Sequence, residues 1–348
     1  MTRVVSLDVH KNTCTYVVKD WEKVLAGPKT IPTTRPALTQ LATTYPKDTF
    51  IFEATAVSEW VHDVFAEAGV TPFVYKPFKK EGRRGKSDPK DALRGAAKFQ
   101  VGELRQVYVP PMPIRDLRDR IRARQFLVGT QTKFRNHVHG HLNRKDTGRE
   151  RVPRDLQGKT VFTQRGRAAV ETVFPALRPT YDVLETIHAH IRSADKDLER
   201  LAKEIRPVQR MRSPPGIGLH TSMSLYAEIG EVDRFPNLEE VVSYFGLDPI
   251  HDQSGESVKD KHRISKEGRS YVRGLLTEAA WMHVRLCPDS DLSRKYHEAV
   301  ARKGKQTAIM GTARRLLRTA VTLWKEDRDF TLNGPVNPAP TLAGPQHA

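Results

Sequence analysis

The chain has 348 residues, 38% of them hydrophobic, which is enough for two or three compact units with buried cores. Lysine and arginine total 58 against 41 aspartate and glutamate residues, and the formal charge of +17 favours nucleic acid as the partner. A disulfide framework and a zinc site are disfavoured, because Cys14 and Cys287 lie far apart and outside metal-ligand motifs. The sequence shows no signal-peptide core and no apolar run of about 18 residues, so we expect a cytoplasmic protein with no membrane contact.

The first 75 residues predict strands that alternate with helices. Apolar and β-branched runs indicate strands at residues 3–8 and 13–18, and a weaker strand at 23–31. Helical and strand patterns then alternate at residues 35–45, 50–53, 58–68 and 71–75. This order predicts a mixed sheet covered by helices, an α/β architecture in which loops at strand ends carry the chemistry.

Four acidic residues mark the ends of these predicted elements. Asp8 ends the first strand and Glu53 ends the strand at 50–53. Asp88 and Asp91 follow a basic stretch and share one side of the next helix, because their spacing is i, i+3. Phosphodiester exchange commonly uses Mg²⁺ held by several carboxylates, so we interpret the four acids as a metal site. Taken singly, each acid is more typical of a turn, a helix cap or a solvated face.

The basic stretch before Asp88 covers residues 76–86 and contains glycine as well as lysine and arginine. It is too polar and too interrupted to pack into a core. We therefore expect a loop that faces phosphate groups, with Lys86 as a nucleic-acid contact.

Residues 114–145 predict a long arginine-rich helical region, and residues 180–206 predict a second helix. In the second helix, apolar residues recur at alternating spacings of three and four, which is the pattern of a heptad seam. Two interpretations stay open: a helical hairpin within one chain, or a coiled coil between chains.

Residues 213–218 predict a tight turn between two helical segments, the second of which continues through Ile229. Gly216 and Gly218 would allow the turn to approach a DNA phosphate closely, as in a helix-hairpin-helix element. A plain connection between helices is the alternative.

The C-terminal part predicts a helix near 238–245, a polar loop at 251–263 and two helical segments, 268–287 and 292–324. Ser254 precedes a glycine in the polar loop, which would give its hydroxyl reach as a nucleophile, although Ser-Gly is also a common turn. Ser257 and Ser265 are rival nucleophiles. The loop also carries basic residues suited to phosphate clamping or to a solvated surface: Lys259, Lys261, His262 and Arg263.

Five short motifs occur in order along nearly the whole chain. They are LDVHK at 7–11, FEAT at 52–55, KSDPKDA at 86–92, PGIG at 215–218, and YFGLDP at 244–249 with QSG at 253–255. In this order and spacing the chain resembles the insertion sequence 110 family of DEDD transposases.

The resemblance implies three domains and a tail. A RuvC-like (RNase H-like) catalytic domain would occupy residues 1–112, a helical coiled-coil region 113–207 and a helical transposase domain 208–330, followed by a flexible tail at 331–348. It also implies a Mg²⁺ site built from Asp8, Glu53, Asp88 and Asp91, and a DNA-attacking serine at the position of Ser254.

The same resemblance implies partners that the residues alone do not indicate. A dimer or tetramer would form composite active sites, with the carboxylates and the serine supplied by different protomers. A structured non-coding bridge RNA would pair with both DNA partners, the element ends and the target. On the residues alone, a RuvC-like nuclease of the junction-resolvase type that activates water is the alternative enzyme, and a binding protein without chemistry is a third class.

Overall fold

The computed structural model describes residues 3–77, 88–145, 160–249 and 264–332. The chain divides into two compact units, one from Met1 to Pro111 and the other from Met112 to Ala348. The helices that are described include none that is both long and apolar enough to cross a membrane.

The first unit is built on a mixed five-stranded sheet, as the order of predicted elements indicates. Its strand order is β3-β2-β1-β4-β5. Strand β2 pairs antiparallel with both β1 and β3, and β4 pairs parallel with both β1 and β5. The strands are β1 (Val4–Val9), β2 (Thr13–Lys19), β3 (Val24–Pro32), β4 (Thr49–Glu53) and β5 (Phe73–Tyr75). The helices are α1 (Arg35–Thr44), α2 (Ser58–Glu67) and α3 (Asp88–Gln100).

Alternation along the strands decides which helix covers which face of the sheet, because successive side chains point to opposite faces. Val5, Leu7 and Val9 pack into the larger core, which also contains residues of α1 and α2. The intervening position Val4 packs with residues of β4, β5 and α3 in a smaller cluster. The even-numbered positions of β1, including Asp8, therefore share the face covered by α3.

Helix α3 approaches the sheet closely at Gly95. A β-carbon built on Gly95 would lie 2.7 Å from the phenol oxygen of Tyr75 and 2.9 Å from Oγ of Ser6. A larger side chain there would have to displace these side chains or the helix. Glycine thus allows α3 to lie directly over β1 and β5.

The second unit is helical throughout its described residues. Its helices are α4 (Met112–Lys145), α5 (Gln164–Val173), α6 (Arg178–Glu204), α7 (Arg206–Arg212), α8 (Leu219–Ile229), α9 (Leu238–Tyr244), α10 (Ser270–Leu286), α11 (Asp291–Lys303) and α12 (Lys305–Glu326). One large core joins α4 and α6 to the six helices that follow.

The predicted heptad seam lies in α6 and is buried against α4 of the same chain. Leu198 and Ala202, near the end of α6, share a core with Leu117 and Ile121, near the start of α4. A second cluster joins the start of α6 to the other end of α4. The two helices therefore run antiparallel, which favours the hairpin within one chain over a coiled coil between chains.

Three elements of this unit differ from the sequence prediction, and one is α7, which begins where the predicted helix at 180–206 ends. Helix α5 was not predicted, because its apolar positions are few and lie among arginines and glutamate. The predicted helix at 292–324 is instead two helices, α11 and α12, which separate at Gly304. Gly304 adopts a φ of 77°, a left-handed conformation that interrupts a right-handed helix.

Candidate active site

Two of the predicted acids lie at the carboxyl ends of neighbouring parallel strands. Asp8 is the penultimate residue of β1, and Glu53 is the final residue of β4. Leu7 pairs with Phe52 in the register of these strands, so the two acids that follow are neighbours. Leu7 and Phe52 face the core on the α1 and α2 side of the sheet. Successive residues of a strand point to opposite faces, so Asp8 and Glu53 both lie on the α3 face.

The other two acids occupy the first turn of α3. Asp88 begins the helix and Asp91 follows three residues later, so one turn of helix presents both carboxylates on one side. The close approach at Gly95 lies a further turn along the same helix. This contact fixes the distance between the α3 acids and the sheet.

The structure brings Asp8 and Asp88 together with a histidine. Nε2 of His10 lies 3.4 Å from Oδ2 of Asp8 and 3.6 Å from Oδ1 of Asp88. One potential ligand atom from each of the three residues lies within 4.8 Å of the other two. Among the described residues, this is the group of histidine, cysteine and acidic side chains that could hold a metal ion. The side chain of Asp8 is 18% exposed and that of Asp88 is 49% exposed, so the cluster opens toward solvent.

The electrostatics of Asp8 place it near both α3 acids. Burial raises the pKa of Asp8, and the negative charges of Asp88 and Asp91 raise it further, while His10 opposes the shift. Burial is the largest cause of this shift, and the charge of His10 opposes those of Asp88 and Asp91.

Tyr75 lies close enough to Glu53, Asp8 and Asp91 for its pKa to be affected by all three charges. Burial raises the pKa of the Tyr75 phenol, and the charges of Glu53, Asp8 and Asp91 raise it further, with Arg94 acting in the opposite direction. One phenol thus senses three of the four predicted carboxylates. Among the described residues the geometry thus groups Asp8 and Asp88 with His10, and Asp91 and Glu53 are linked to them only through their charges on Asp8 and Tyr75.

Several predicted site residues lie outside the described residues. These are Lys86, Ser254, Ser257, Lys259, Lys261, His262 and Arg263. The residues that flank the predicted nucleophile loop are described and are paired: Pro249 forms an antiparallel bridge with Ile264, and the amide of Ser265 donates to the carbonyl of Asp248 over 3.0 Å. The hydroxyl of Ser265 donates to the Asp248 carboxylate, so this rival nucleophile is held by an acceptor.

The predicted glycine turn lies between α7 and α8. Gly216 has a φ of 98°, and a β-carbon there would lie 2.8 Å from the backbone nitrogen of His283 in α10. Contact with α10 is therefore one reason for glycine at this position. Gly218 is exposed and caps the start of α8. Phosphate binding by this turn stays a prediction.

Three residues of the site were not singled out in the sequence. His10 is two residues beyond Asp8, and this period-2 spacing is the feature that would have suggested a shared face. Tyr75 ends a strand parallel to β4 and pairs with Glu53. Ser6 is fully buried, and its Oγ has no hydrogen-bond partner among the described residues. Local sequence gives no indication of the contact that Ser6 makes with α3.

A mixed five-stranded sheet with carboxylates at the ends of two parallel strands and on a covering helix is consistent with an RNase H-like domain. Two family models match the chain. A model of DEDD transposases of the IS110 group, described as "Transposase", matches residues 5–145, and one described as "Transposase IS116/IS110/IS902 family" matches residues 208–298. The chain belongs to this IS110 family of transposases.

Relatives are similar at low identity. The y4qE protein of Sinorhizobium fredii, which carries a provisional transposase name, is 27% identical over 276 residues, covering 76% of this chain and 65% of the relative. The transposase for insertion sequence element IS1111A of Coxiella burnetii is 24% identical over 215 residues, covering 61% of this chain and 57% of the relative. The pilin gene-inverting protein of Moraxella bovis is 29% identical over 119 residues, covering 33% of this chain and 36% of the relative. The chain thus spans less than two thirds of the length of each of these relatives.

Proposed function

We propose that this protein is a DNA transposase or recombinase that cuts and rejoins DNA strands with a divalent metal held by Asp8, Glu53, Asp88 and Asp91. The observation that carries the proposal is the convergence of the Asp8 and Asp88 carboxylates around His10, with one atom of each of the three residues within 4.8 Å of the others. The charges of Asp91 and Glu53 act on the same cluster through Asp8 and Tyr75. Membership of the IS110 transposase family and the formal charge of +17 support DNA as the substrate.

The residues present suit Mg²⁺. Carboxylate oxygens are hard ligands, which Mg²⁺ prefers, and Asp8, Asp88 and Asp91 offer such oxygens at one end of α3. When bound, such an ion activates the attacking oxygen and stabilises the leaving oxygen in phosphodiester exchange. Asp8 and Asp88 are the two carboxylates best placed to share it.

We assign His10 to hold the two acids rather than to bind the metal. Its ring nitrogen contacts both carboxylates, and imidazole is not a typical ligand of Mg²⁺. The His10 ring would lie between the carboxylates of Asp8 and Asp88. It would thereby keep both oxygens in position before the ion arrives.

We propose Ser254 as the nucleophile that attacks DNA. Its Oγ would form a bond to phosphorus while the bond from phosphorus to one deoxyribose oxygen breaks. The serine hydroxyl proton would pass to a base, and the released deoxyribose oxygen would take up a proton and leave as a DNA hydroxyl. A DNA hydroxyl would later reverse this step and release the serine. Support comes from the family match over residues 208–298, which includes this position, and from the paired residues Asp248 and Ser265 beside the loop.

The proposal extends to domains and assembly. Residues 1–112 would supply the acids, residues 113–207 the helical connector, and residues 208–330 the serine, with a helix-hairpin-helix-like element around Gly216 and Gly218. Composite sites in a dimer or tetramer would then combine acids and serine from different protomers. The surplus of basic residues also suits a bridge RNA that specifies the element ends and the target.

A covalent-adduct assay tests the chemistry. Protein co-expressed with its flanking element DNA, so that any RNA co-purifies, is incubated with Mg²⁺ and labelled element-junction DNA and resolved on a denaturing gel. We expect a protein-linked label that disappears with EDTA, with Asp8→Ala and with Ser254→Ala. Ser257→Ala is the matched serine control, and Glu22→Gln, at an exposed acid of the first unit, is the matched acid control. Both controls should retain the label.

Two outcomes would contradict parts of the proposal. Cut DNA without linked protein, together with full activity of Ser254→Ala, would mean that water attacks and that the chain is a RuvC-like nuclease. Full activity of Asp8→Ala would contradict the proposal that Asp8 holds a metal ion needed for cleavage. Digestion of the purified complex with ribonuclease tests the RNA, since the guided reaction requires it and a protein-only reaction would be unaffected.

A further inference from the structure

A cleft of about 260 Å³ lies within the second unit, between α4, α8 and the start of α10. Three arginines and one glutamate line it: Arg118, Arg122, Arg269 and Glu228. The formal charge of this group is +2, because three guanidinium groups face one carboxylate. All of the residues that line the cleft belong to the second unit, so none of the four predicted acids is among them.

Arg118 has a structural role in this cleft. Its guanidinium donates to the carbonyls of Ala227 and Glu228 over 2.7 and 3.0 Å, and it is buried. These two carbonyls belong to the last turn of α8, where backbone acceptors lack helical partners. Arg118 therefore holds α8 against α4.

Arg122 and Arg269 differ from Arg118, because their described contacts leave most of their N–H groups unused. One guanidinium nitrogen of Arg122 donates to Oε1 of Glu228 over 3.4 Å, and another lies 3.9 Å from Oδ1 of Asp119. Nε of Arg269 lies 3.4 Å from Oε2 of Glu228. Each guanidinium has five N–H groups. Their side chains are 42% and 56% exposed, so a ligand can reach them. Glu228 thus accepts a hydrogen bond from Arg122 and forms an ion pair with Arg269, while its Oε2 makes no hydrogen bond among the described residues.

A buried hydroxyl also lines the cleft and lacks a partner. Ser224 is 2% exposed, and its Oγ makes no hydrogen bond among the described residues. Unsatisfied buried hydroxyls are rare, because leaving one unpaired costs stability. This hydroxyl would be satisfied by a ligand oxygen in the cleft.

The start of α10 adds donors of the same kind. Its cap residue, Arg269, provides no side-chain cap, and no acidic residue occurs in the first turn of this 17-residue helix. The first backbone N–H groups of a helix have no intrahelical acceptors and carry partial positive charge. Ser270, Tyr271 and Val272, which begin this helix, line the cleft.

We infer that this cleft binds a phosphate group of the backbone of duplex DNA. Two arginines, a helix start and an unpartnered hydroxyl are all hydrogen-bond donors, and a phosphate offers several acceptor oxygens with negative charge. Glu228 is the exception, because it is an acceptor, and its charge offsets one of the three arginines and leaves the lining with a formal charge of +2. The inference that the cleft binds a phosphate group follows from these residues. The inference that this phosphate belongs to DNA rests on the proposed function.

Binding of the full chain to a fluorescent duplex of arbitrary sequence, followed by anisotropy at stepped salt concentrations, tests the inference. We expect Arg122→Gln and Arg269→Gln each to weaken binding about tenfold, and to reduce the slope of log affinity against log salt by about 0.9. Arg120→Gln is the matched control, since Arg120 is exposed on the same helix and does not line the cleft. It should change binding less.

Ser224→Ala separates a ligand role from a structural role. The hydroxyl has no partner among the described residues, so its removal should leave the urea unfolding midpoint unchanged or raised while binding weakens. A lowered midpoint with unchanged binding would overturn the assignment of Ser224.

The remaining outcomes are distinct from those of the catalytic proposal. The cleft is excluded as the binding site if Arg122→Gln, Arg269→Gln and Ser224→Ala all bind DNA as the parent does. It is also excluded if Arg120→Gln weakens binding as much as Arg122→Gln does. A parent chain that binds the duplex through the cleft but never cuts it would instead contradict the catalytic proposal alone.

Discussion

The contact between Gly95 and the sheet gives a sharp test of how α3 positions its acids. Gly95→Ala adds a β-carbon 2.7 Å from the phenol oxygen of Tyr75 and 2.9 Å from Oγ of Ser6. Both distances are shorter than a carbon–oxygen contact tolerates, so the side chains of Tyr75 and Ser6 or the helix must move. A shift of the helix would move Asp88 and Asp91, on the same helix, relative to Asp8.

Two opposing terms set the size of the effect on stability. Alanine is favoured over glycine inside a helix by about 1 kcal/mol. Overpacking of a tight contact costs about 1–3 kcal/mol. We therefore expect Gly95→Ala to lower the free energy of unfolding by about 0–2 kcal/mol, and to reduce metal-dependent strand cleavage by far more than this stability change explains.

A matched control and a rescue isolate the cause. Gly129 lies inside α4, and a β-carbon there meets nothing within 4 Å among the described atoms, so Gly129→Ala should raise stability by about 1 kcal/mol. Tyr75→Phe removes the nearest atom, so it should restore part of the cleavage activity lost in Gly95→Ala.

Urea unfolding and the labelled-DNA assay, applied to the parent and to each of these variants, provide the measurements. If Gly95→Ala were as stabilising as Gly129→Ala and fully active, the close approach would not determine the position of α3. If adding Tyr75→Phe to Gly95→Ala restored no activity, the phenol oxygen would not be the atom that the new methyl group meets.

Three further predictions concern buried groups. Burial lowers the pKa of His283 from its ordinary value of 6.5, so the unfolded chain takes up a proton that the folded protein resists. The free energy of unfolding should therefore fall as pH drops below about 6.5. In His283→Gln, the urea unfolding midpoint should depend less on pH over this range, and an unchanged pH dependence would contradict the prediction. Burial raises the pKa of Cys14 to about 12, so iodoacetamide at neutral pH should modify Cys287 but spare Cys14 until urea is added, and rapid native labelling of Cys14 would refute this. Gly216→Ala should destabilise the protein by more than about 1 kcal/mol because of its left-handed backbone and its contact with α10, whereas Gly274→Ala, which meets nothing within 4 Å, should not.

Much of the sheet could be predicted because its determinants are local. Apolar runs ending in Asp8 and Glu53 mark strands whose ends lie side by side, and the mixed sheet is confirmed by the observed pairing. The i, i+3 spacing of Asp88 and Asp91 likewise predicts a shared helical side. These features depend only on the periods of strands and helices.

Other features depend on contacts between distant residues and leave no local pattern. The need for glycine at 95 arises from Tyr75 and Ser6, which lie about 20 and 90 residues away along the sequence. The break at Gly304 competes with a helical pattern that continues on both sides of it. Ser254 was predicted from family resemblance, and it lies outside the described residues.

The acid cluster illustrates how these local rules combine into a functional site at a cost to stability. Strand alternation places Asp8 and Glu53 on one face, the helical repeat adds Asp88 and Asp91, and Gly95 brings the two elements together. His10 and Arg94 supply at most two positive charges against four carboxylates, and the pKa of Asp8 is raised despite the histidine. Folding alone gains nothing from gathering like charges, and this is the physical argument behind the cation that we propose for this cluster.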